Sequence, residues 1–365
     1  MDDKYIAIYR RFRPETFDEI LGQEHVVRVL KNQIKDNKLG HAYLFSGTRG
    51  TGKTTMARIL AKGAGCLSDV GERPCGICDN CKSIKDGTCV DVIEIDAASN
   101  NSVDDVRALR ESIIYPPSTC RKKVFIIDEV HMFSTQAFNA LLKTLEEPPE
   151  YIMFILCTTE PSKLPATILS RCLRFDFKRV SAQQIMKGMD KICAEMGIGL
   201  TSEAAALLAQ NADGSVRDGL SILEQCVQAG EKELTRELVL EIVGSPSDER
   251  LATLSEAIYC GNTSEALLQL NEMLIEGMDE SQIMKDWINW FHSALMIKFV
   301  SNPERIVNRS AENIESIKGQ SAAYEVEYIN NCIYKLSKLL NDTRWSSNKR
   351  ILLEMTIIEL SERKE

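Results

Sequence analysis

The chain has 365 residues, of which 44% are hydrophobic and 27% charged, and its formal net charge is −9. This length allows two or three domains with sizeable cores, and the acidic balance is not typical of a protein that binds nucleic acid by itself. No apolar run reaches the ~20 residues needed to span a membrane. The first residues lack the basic-then-apolar pattern of a secretion signal, so we expect a cytoplasmic protein without a membrane partner.

A glycine-rich segment, residues 47–54 with the sequence GTRGTGKT, follows a short apolar run and precedes a helical pattern. Strand, glycine-rich turn and helix are the setting of a phosphate loop, in which Lys53 reaches the β- and γ-phosphates and the Thr54 hydroxyl coordinates Mg²⁺. Backbone N–H groups and the helix start also attract the anion. We therefore predict that the chain binds a nucleoside triphosphate. The residues assigned to the phosphates are Gly47, Thr48, Arg49, Gly50, Thr51, Gly52, Lys53, Thr54 and Thr55.

Four of the 12 cysteines follow the loop with the spacing C-x8-C-x2-C-x2-C, at Cys66, Cys75, Cys78 and Cys81. Four thiolates match a closed, tetrahedral zinc site, which serves as scaffold because no coordination position stays open. Two alternatives remain: an iron–sulfur cluster, which also uses this spacing, and unrelated buried thiols.

Residues 122–127, which are apolar from Val124 to Ile127, predict a strand that ends in two carboxylates, Asp128 and Glu129. In a phosphate-loop ATPase such carboxylates have two tasks: Asp128 would hold the Mg²⁺ shell, and Glu129 would orient and polarise the attacking water. A further apolar strand, residues 151–157, ends at two hydroxyls, Thr158 and Thr159. These hydroxyls would lie near the γ-phosphate if this strand is beside the phosphate-loop strand.

Strands and helices alternate over the first half of the chain. Apolar runs predict further strands at residues 43–45, 90–95 and 173–177, and helices are predicted at 24–38, at 55–62, at 103–113 with Ser102 as N-cap, and around 138–145. This alternation indicates an α/β domain with a parallel sheet covered by helices on both faces.

After about residue 179 the strand signals stop and helical patterns take over. Helices are predicted at 181–196, 201–210, 216–228, 235–243, 249–260, 263–276, 280–300, 324–340 and 348–361. Ser215 would cap the third of them, and residues 244–247 indicate a linker. Trp287, Trp290, Phe291 and Leu295 form a stripe at helical spacing, for which core packing and an oligomer contact both remain open. The predicted domains are 1–178 with the cysteine insert at 66–81, a helical lid at 179–243, and a helical collar at 244–365.

Several motifs point to one family. They are Arg13-Pro14 with Phe17 and Gly22-Gln23, residues 41–54, the four-cysteine insert, Ile127–Met132, Leu145–Pro149, Ile168–Cys172 and Gly214–Asp218. With these motifs the chain resembles the gamma/tau subunits of bacterial DNA polymerase III clamp loaders, within the AAA+ ATPases. The motifs lie in residues 1–240, and the remainder resembles the family in length and helical character alone.

The resemblance implies roles that the residues alone do not indicate. Arg171 corresponds to an arginine finger that reaches the γ-phosphate bound by a neighbouring subunit, and Arg217 to a second sensor that contacts phosphate in its own subunit. Thr158 corresponds to the first sensor, with Thr159 equally possible. The residues implied to enclose adenine are Tyr9, Arg13, Pro14, Ile20, Leu21 and Val216.

The resemblance also implies partners and a mechanism. Copies of the chain would join related subunits in a five-membered ring that uses ATP and Mg²⁺ to open a sliding clamp and load it on primer–template DNA. The DNA would be contacted through its phosphate backbone. Asn100, Asn101 and Ser102 stand where family members carry basic residues, so backbone N–H groups rather than ion pairs would meet phosphates there.

Two alternatives to this function remain open from sequence. One is an ATP-binding scaffold of the same ring without turnover of its own, and the other is a different DNA-associated AAA+ ATPase. The presence of Lys53, Asp128, Glu129 and Arg171 argues against the scaffold, and the cysteine insert argues against the other machines. No polymerase active site is expected, because no second pair of metal-binding carboxylates is found.

Overall fold

The structure is a computed structural model. It describes residues 6–69, 71, 73–100, 109, 111–244, 246–303, 307, 311–343 and 348–362. Most of the helix predicted at 103–113, together with Asn101 and Ser102, lies outside the described residues. The chain divides into two compact units, Met1–Ile192 with Asn211–Glu224, and Cys193–Gln210 with Gln225–Glu365. The three-domain division at residues 178 and 243 stays a prediction.

The first unit contains a five-stranded parallel sheet. Its strands are β1 (Ala42–Ser46), β2 (Val92–Asp96), β3 (Lys123–Asp128), β4 (Ile152–Thr158) and β5 (Leu173–Asp176). Their order is β2-β3-β4-β1-β5, and each neighbouring pair is parallel. All five predicted strands are therefore present, with ends that differ by one or two residues. The strand that ends at Thr158, β4, lies beside the phosphate-loop strand β1, which was the condition for placing the Thr158 and Thr159 hydroxyls near the γ-phosphate.

Helices cover both faces of this sheet. The helices that begin before residue 197 are α1 (Ile8–Arg11), α2 (Glu24–Lys35), α3 (Lys53–Gly65), α4 (Asp79–Asp86), α5 (Thr135–Glu146), α6 (Ala166–Leu169) and α7 (Ala182–Met196). Because side chains alternate along a strand, Leu44 of β1 belongs to the same buried layer as Phe138 of α5, whereas Phe45 belongs to the layer that contains Leu30 of α2 and Met56 of α3. The predicted sheet with two covered faces is confirmed.

The remaining helices are α8 (Ser202–Asn211), α9 (Val216–Gln228), α10 (Arg236–Val243), α11 (Asp248–Tyr259), α12 (Thr263–Ile275), α13 (Glu280–Phe299), α14 (Ala311–Gln320), α15 (Val326–Asp342) and α16 (Lys349–Ser361). The prediction missed α14. The expectation that strands stop after residue 179 is wrong in one detail, since β6 (Gly199–Leu200) and β7 (Glu233–Leu234) pair in parallel. Among the described helices, none is both long and apolar enough to cross a membrane.

An apolar core holds the C-terminal helices together. Trp287, Trp290 and Phe291 of α13 are fully buried in it, and Leu295 packs partly buried against it. The indole N–H of Trp287 donates to Ser255 Oγ at 2.8 Å, so this polar atom is satisfied inside the core. The aromatic stripe is thus core packing, which was one of the two interpretations left open by its spacing.

Candidate functional site

The loop between β1 and α3 requires glycine at several positions. Gly47, Gly50 and Gly52 have φ values of 151°, 74° and 97°, a range that residues with a side chain rarely adopt. A Cβ atom at Gly47 would lie 2.5 Å from the Phe177 carbonyl oxygen, and one at Gly50 would lie 1.9 Å from Ser215 Oγ. The loop therefore keeps its backbone close to two neighbouring segments, which only glycine permits.

Lys53 begins α3 and turns its side chain back into the loop. Its ammonium donates to the carbonyl oxygens of Gly47 and Thr48, at 2.8 and 2.9 Å. The residue is only 6% exposed, and burial lowers the pKa of its ammonium. Loop carbonyls thus occupy the donors that an entering phosphate would take.

The other loop positions differ in exposure. Thr48 and Arg49 are exposed, Thr51 is buried and Thr55 is half-buried in the first turn of α3. The Thr51 hydroxyl donates to the Thr48 carbonyl at 2.8 Å, which closes the loop from inside.

Gln23 supports the same loop, although sequence reasoning gave it no role beyond a family motif. Its side chain is fully buried, donates to the Lys178 carbonyl at 2.7 Å and accepts the Lys178 N–H at 3.1 Å. The same amide group lies 3.5 Å from the Thr51 carbonyl. Gln23 therefore joins the phosphate loop to the segment that follows β5.

Thr54 in the first turn of α3 meets Asp128 at the end of β3, although β4 lies between β3 and the phosphate-loop strand β1. The Thr54 hydroxyl donates to Asp128 Oδ2 at 2.7 Å, and burial raises the pKa of Asp128. A hydroxyl and a carboxylate side by side fit Mg²⁺, which takes oxygen ligands and fills its other positions with water and substrate phosphate. These two predicted magnesium ligands are brought together.

Glu129 follows directly in a left-handed conformation, with φ of 45°. Its Oε2 atom accepts both the N–H and the hydroxyl of Thr159, at 3.3 and 3.0 Å. The Thr158 hydroxyl lies instead 3.0 Å from Nδ1 of His131 and accepts the N–H of Glu160 at 3.0 Å. Of the two first-sensor candidates, it is thus Thr159 whose hydroxyl contacts Glu129.

Arg171 lies just after α6 and is held within its own chain. One guanidinium nitrogen donates to Glu146 Oε1 at 2.6 Å, and the other donates to the Thr167 carbonyl at 2.7 Å and to Ser170 Oγ at 3.2 Å. Among the described residues, none of these contacts runs to the phosphate loop. The role of Arg171 as an arginine finger stays a prediction.

The start of α9 contacts both the loop and the N-terminal segment. Ser215 Oγ accepts the N–H of Asp218 at 3.2 Å and so caps this helix as predicted. The Val216 N–H donates to the Gly50 carbonyl at 3.1 Å, and the Arg217 guanidinium lies 5.0 Å from the centroid of the Tyr9 ring. Tyr9, Val216 and Arg217 are therefore brought together at the loop.

The other predicted adenine residues are less tightly connected. Burial, together with the nearby charge of Arg58, lowers the pKa of Arg13. Ile20 packs against the same buried layer as α2 and α3, and Leu21 contacts Gly188 of α7, since a Cβ atom there would lie 2.8 Å from Leu21 Cδ1. Pro14 is half-buried. No adenine-shaped enclosure follows from these contacts alone.

The four cysteines of the insert converge. The Sγ atoms of Cys66, Cys75, Cys78 and Cys81 all lie within 4.8 Å of one another, with 3.9 Å between Cys66 and Cys78 and 4.0 Å between Cys75 and Cys81. Thiolates on one tetrahedral zinc ion lie about 3.8 Å apart for a Zn–S distance near 2.3 Å. A four-iron cluster would spread them further, because each thiolate binds a different iron. The sulfur positions therefore fit a single tetrahedral ion.

The surroundings of Cys75 and Cys78 favour their thiolate forms. The hydroxyl of Ser68, with backbone N–H groups, lowers the pKa of Cys75 to about 6, whereas burial raises the pKa of Cys81. The N–H of Cys78 points at Cys75 Sγ at 3.4 Å, and the N–H of Cys81 at Cys78 Sγ at 3.5 Å. Such N–H···S contacts stabilise the thiolate form that binds metal.

Family models match three successive parts of the chain. They are described as DNA polymerase III, delta subunit, over residues 22–181; DNA polymerase III clamp loader subunit, ATPase lid domain, over 184–232; and DNA polymerase III subunits gamma and tau domain III, over 234–365. The last match extends the resemblance into the C-terminal helices, where the motifs had indicated only length and helical character.

Curated relatives agree with these models. The chain is 42% identical to DNA polymerase III subunit tau of Bacillus subtilis over 98% of its length and 63% of that protein, and 43% identical to subunit tau of Escherichia coli over 80% of its length and 46% of that protein. It is 34% identical to DNA polymerase III subunit gamma of Buchnera aphidicola (subsp. Schizaphis graminum) over 97% of its length and 98% of that protein. The chain thus spans about half to two thirds of the tau relatives but nearly all of the gamma relative. It belongs to the gamma and tau subunit family of bacterial DNA polymerase III.

Proposed function

We propose that the chain is an ATP-hydrolysing AAA+ motor subunit of a clamp loader, which opens a sliding clamp and loads it on primed DNA. The observation that carries this proposal is the contact of Thr54 with Asp128, with Glu129 beside it at the end of β3. A scaffold that only binds ATP needs the loop and its lysine. The addition of a held carboxylate next to a magnesium pair supports hydrolysis.

In this proposal the phosphates of ATP enter the loop and take over the donors of Lys53. The ammonium leaves the carbonyls of Gly47 and Thr48 and pairs with phosphate oxygens, a stronger charge-assisted contact. Backbone N–H groups at the start of α3 add to the attraction. This change of partners, from loop carbonyls to phosphate oxygens, gives the buried ammonium of Lys53 a role in ATP binding.

The hydrolytic step rests on the chain's own carboxylates. Mg²⁺, held by Thr54 and Asp128, would neutralise charge on the phosphates. Glu129, fixed through Oε2 by Thr159, accepts a hydrogen bond from a water and polarises it towards the γ-phosphate.

Arg171 completes the site of a neighbouring subunit. A guanidinium stabilises charge that develops on the transferred phosphoryl group, and the anchoring of Arg171 by Glu146 and Thr167 keeps it away from its own loop. Arg217, over Tyr9 at the start of α9, contacts the phosphate of its own subunit. Hydrolysis would thus depend on assembly with related subunits in a five-membered ring.

The partners of this ring are the sliding clamp and primer–template DNA. DNA contact through the phosphate backbone would be independent of sequence and would weaken with salt. Asn100 is neutral, so it offers no cation to phosphate, and one side-chain N–H already donates to the Asp96 carbonyl. A loader of this kind works on chromosomal DNA, and we assign it to the bacterial cytoplasm.

ATPase assays of two variants test this proposal. We expect Glu129→Gln to keep ATP binding and to lose turnover by roughly 10²- to 10⁴-fold, the contribution of a general base. Arg171→Ala should bind ATP normally but lose the stimulation that comes with the other loader subunits, the clamp and primed DNA. Arg174→Ala is the matched control, since this arginine pairs with Asp176 on the exposed edge of β5. If Arg171→Ala kept the ATPase rate of the assembled wild type, the proposal that subunits share the site would be wrong. If Glu129→Gln kept the wild-type turnover, the proposal of hydrolysis at this site would be wrong.

We propose further that the four cysteines hold one structural zinc ion. The separations of their sulfurs support zinc over an iron–sulfur cluster. The test is the metal content of the purified full chain: one zinc per chain and no visible absorption are expected. Cys75→Ser should lose the zinc, whereas Cys226→Ser, which changes a buried thiol outside the cluster, should keep it. Iron in the wild-type protein would overturn the assignment.

A further inference from the structure

His131 lies next to Glu129, the carboxylate proposed to act in hydrolysis. The proposed function gives His131 itself no role. It lies three residues after Asp128, in a short turn of residues Val130–Met132. Its side chain is only 7% exposed, with Nδ1 3.4 Å from Glu129 Oε2 and Nε2 3.5 Å from Glu160 Oε1. Each nitrogen of this buried imidazole faces a carboxylate, so the ring makes polar contacts in addition to packing.

The hydrogen bond of the ring is the one to Thr158, since Nδ1 lies 3.0 Å from Oγ1. This link exists in either neutral tautomer. A protonated Nδ1 donates to the hydroxyl oxygen, and an unprotonated Nδ1 accepts the hydroxyl hydrogen. The two carboxylate contacts, at 3.4 and 3.5 Å, are longer than a normal hydrogen bond. The Nδ1 edge therefore defines where the ring is held.

Glu129 is held through one oxygen only. Thr159 donates twice to Oε2, and His131 lies against the same oxygen. Among the residues that the structure describes, all polar side-chain contacts of this carboxylate use Oε2, so Oε1 remains for the attacking water. The imidazole limits the rotation of the carboxylate, because it borders the oxygen that must stay in place.

These contacts form a continuous series with the phosphate loop. The N–H of Gly47 donates to the Thr158 carbonyl at 3.2 Å, the Thr158 hydroxyl pairs with His131, and His131 borders Glu129. We propose that His131 is a positioning residue that holds Glu129 in register with the tip of β4, and through it with the phosphate loop. This inference rests on the proposed hydrolysis by Glu129.

The test compares three substitutions of His131 in the full chain, assembled with the other loader subunits, clamp and primed DNA. His131→Ala should lower kcat for ATP by about tenfold, because a misplaced catalytic group costs one to two orders of magnitude. The KM for ATP should change by less than about twofold, since no contact to ATP is removed. The other two substitutions, His131→Asn and His131→Gln, then show whether Nδ1 or Nε2 of the ring is the atom that matters.

An asparagine amide can take the place of Nδ1, whereas a glutamine amide reaches the place of Nε2. We expect His131→Asn to restore most of kcat and His131→Gln to behave like His131→Ala. Unfolding temperature and binding of a fluorescent ATP analogue establish that each variant is folded. Restoration by His131→Gln instead of His131→Asn, or a wild-type kcat in His131→Ala, would overturn the proposal.

A double variant asks whether His131 acts through Glu129. In the Glu129→Gln background, His131→Ala should have no further effect on the residual turnover, because the group that it positions is already gone. A second loss of the same size would show independent action and overturn the inference while hydrolysis by Glu129 stands. If Glu129→Gln alone left turnover unchanged, the proposed function would fail and the inference with it.

Discussion

The tip of the five-stranded sheet and the core of the C-terminal helices use opposite means to hold their shape. At the tip, Lys53 and Thr158 are buried polar residues, and Glu129 has a left-handed backbone. In the helical core the largest buried side chains are Trp287 and Trp290, joined by Phe291. The sheet tip thus buries polar groups and holds one residue in a strained backbone conformation, whereas the helical core buries apolar surface.

The difference indicates where a substitution costs activity and where it costs stability. Buried polar groups cost free energy unless they are paired, and ionisable groups with strongly shifted pKa values cluster at functional sites. Apolar burial stabilises by about 25 cal/mol per Å² with few demands on residue identity. Changes at the sheet tip should therefore act on nucleotide handling, and changes in the helical core on unfolding.

The largest effect is expected from Trp287→Ala in α13. Removal of a fully buried indole leaves a cavity and should lower the free energy of unfolding of the helical region by about 3–5 kcal/mol. Urea denaturation measures this change. Trp287→Phe is the control: it keeps most of the burial but loses the bond to Ser255, which still donates to the Leu251 carbonyl at 2.7 Å. ATP affinity should stay at the wild-type value in both variants, and a parallel loss of affinity would break the comparison.

Asp91 tests a buried charge outside the site. It is 2% exposed and accepts the N–H groups of Ser118, Thr119 and Cys120 at 2.7–2.8 Å. Asp91→Asn brings amide hydrogens against these donors and should cost about 2–3 kcal/mol of stability. Asp18→Asn, at a carboxylate 82% exposed in its ion pair with Lys31, should cost less than about 0.5 kcal/mol.

The effect at Asp91 should also depend on pH. Burial alone would raise the pKa of this carboxyl, but the backbone N–H groups of Cys120, Ser118 and Thr119 hold it below the ordinary value. A depressed pKa in the folded state gives stability that is present above the unfolded pKa, near 3.8, and that is lost as the pH falls through the folded pKa. Wild type and Asp91→Asn should therefore differ at pH 7, and their difference in stability should begin to shrink only as the pH falls below about 4. A constant difference down to pH 2 would contradict this account.

Gly50→Ala moves the test back to the sheet tip. A Cβ atom there would collide with Ser215 Oγ, and the φ of 74° is strained for alanine. We expect ATP affinity to fall by about tenfold, because left-handed strain of roughly 1–2 kcal/mol falls here on the loop proposed to bind phosphate and the collision forces the start of α9 to shift. Titration with a fluorescent ATP analogue measures it. Gly230→Ala, with φ of 84° and open space around it, carries the strain without the collision and should leave ATP affinity unchanged.

Most of the fold was predictable because its elements have strong periodic patterns. The buried strands β1, β3 and β4 are continuous apolar runs, and these indicate a parallel sheet without any alignment. The strands β6 and β7 were missed because two residues are too few to show a period. Helix α14 was missed because its apolar positions, Ile314 and Ile317, give only a weak stripe in a polar segment.

In the site, the sequence indicates residues whose chemistry follows from their own motif. Thr54 and Asp128 were predicted as magnesium ligands, and the structure brings them together. His131 and Glu146 were not predicted, since their contacts join segments 25 or more residues apart in sequence. Their only signal was a place within family motifs, which does not say what a side chain touches.

The smallest effect is expected from Glu146→Gln, and it separates the two partners of one ion pair. The side chains of Arg171 and Glu146 are 32% and 47% exposed, so their pairing should contribute less than about 1 kcal/mol to stability. The glutamine oxygen still accepts from Arg171, and the Thr167 carbonyl still anchors it, so assembled ATPase activity should stay at the wild-type rate. Arg171→Ala should leave stability equally unchanged yet lose that activity. If Glu146→Gln lost the assembled ATPase activity as well, Glu146 would belong to the shared site. The region in which substitutions cost activity would then include the end of α5.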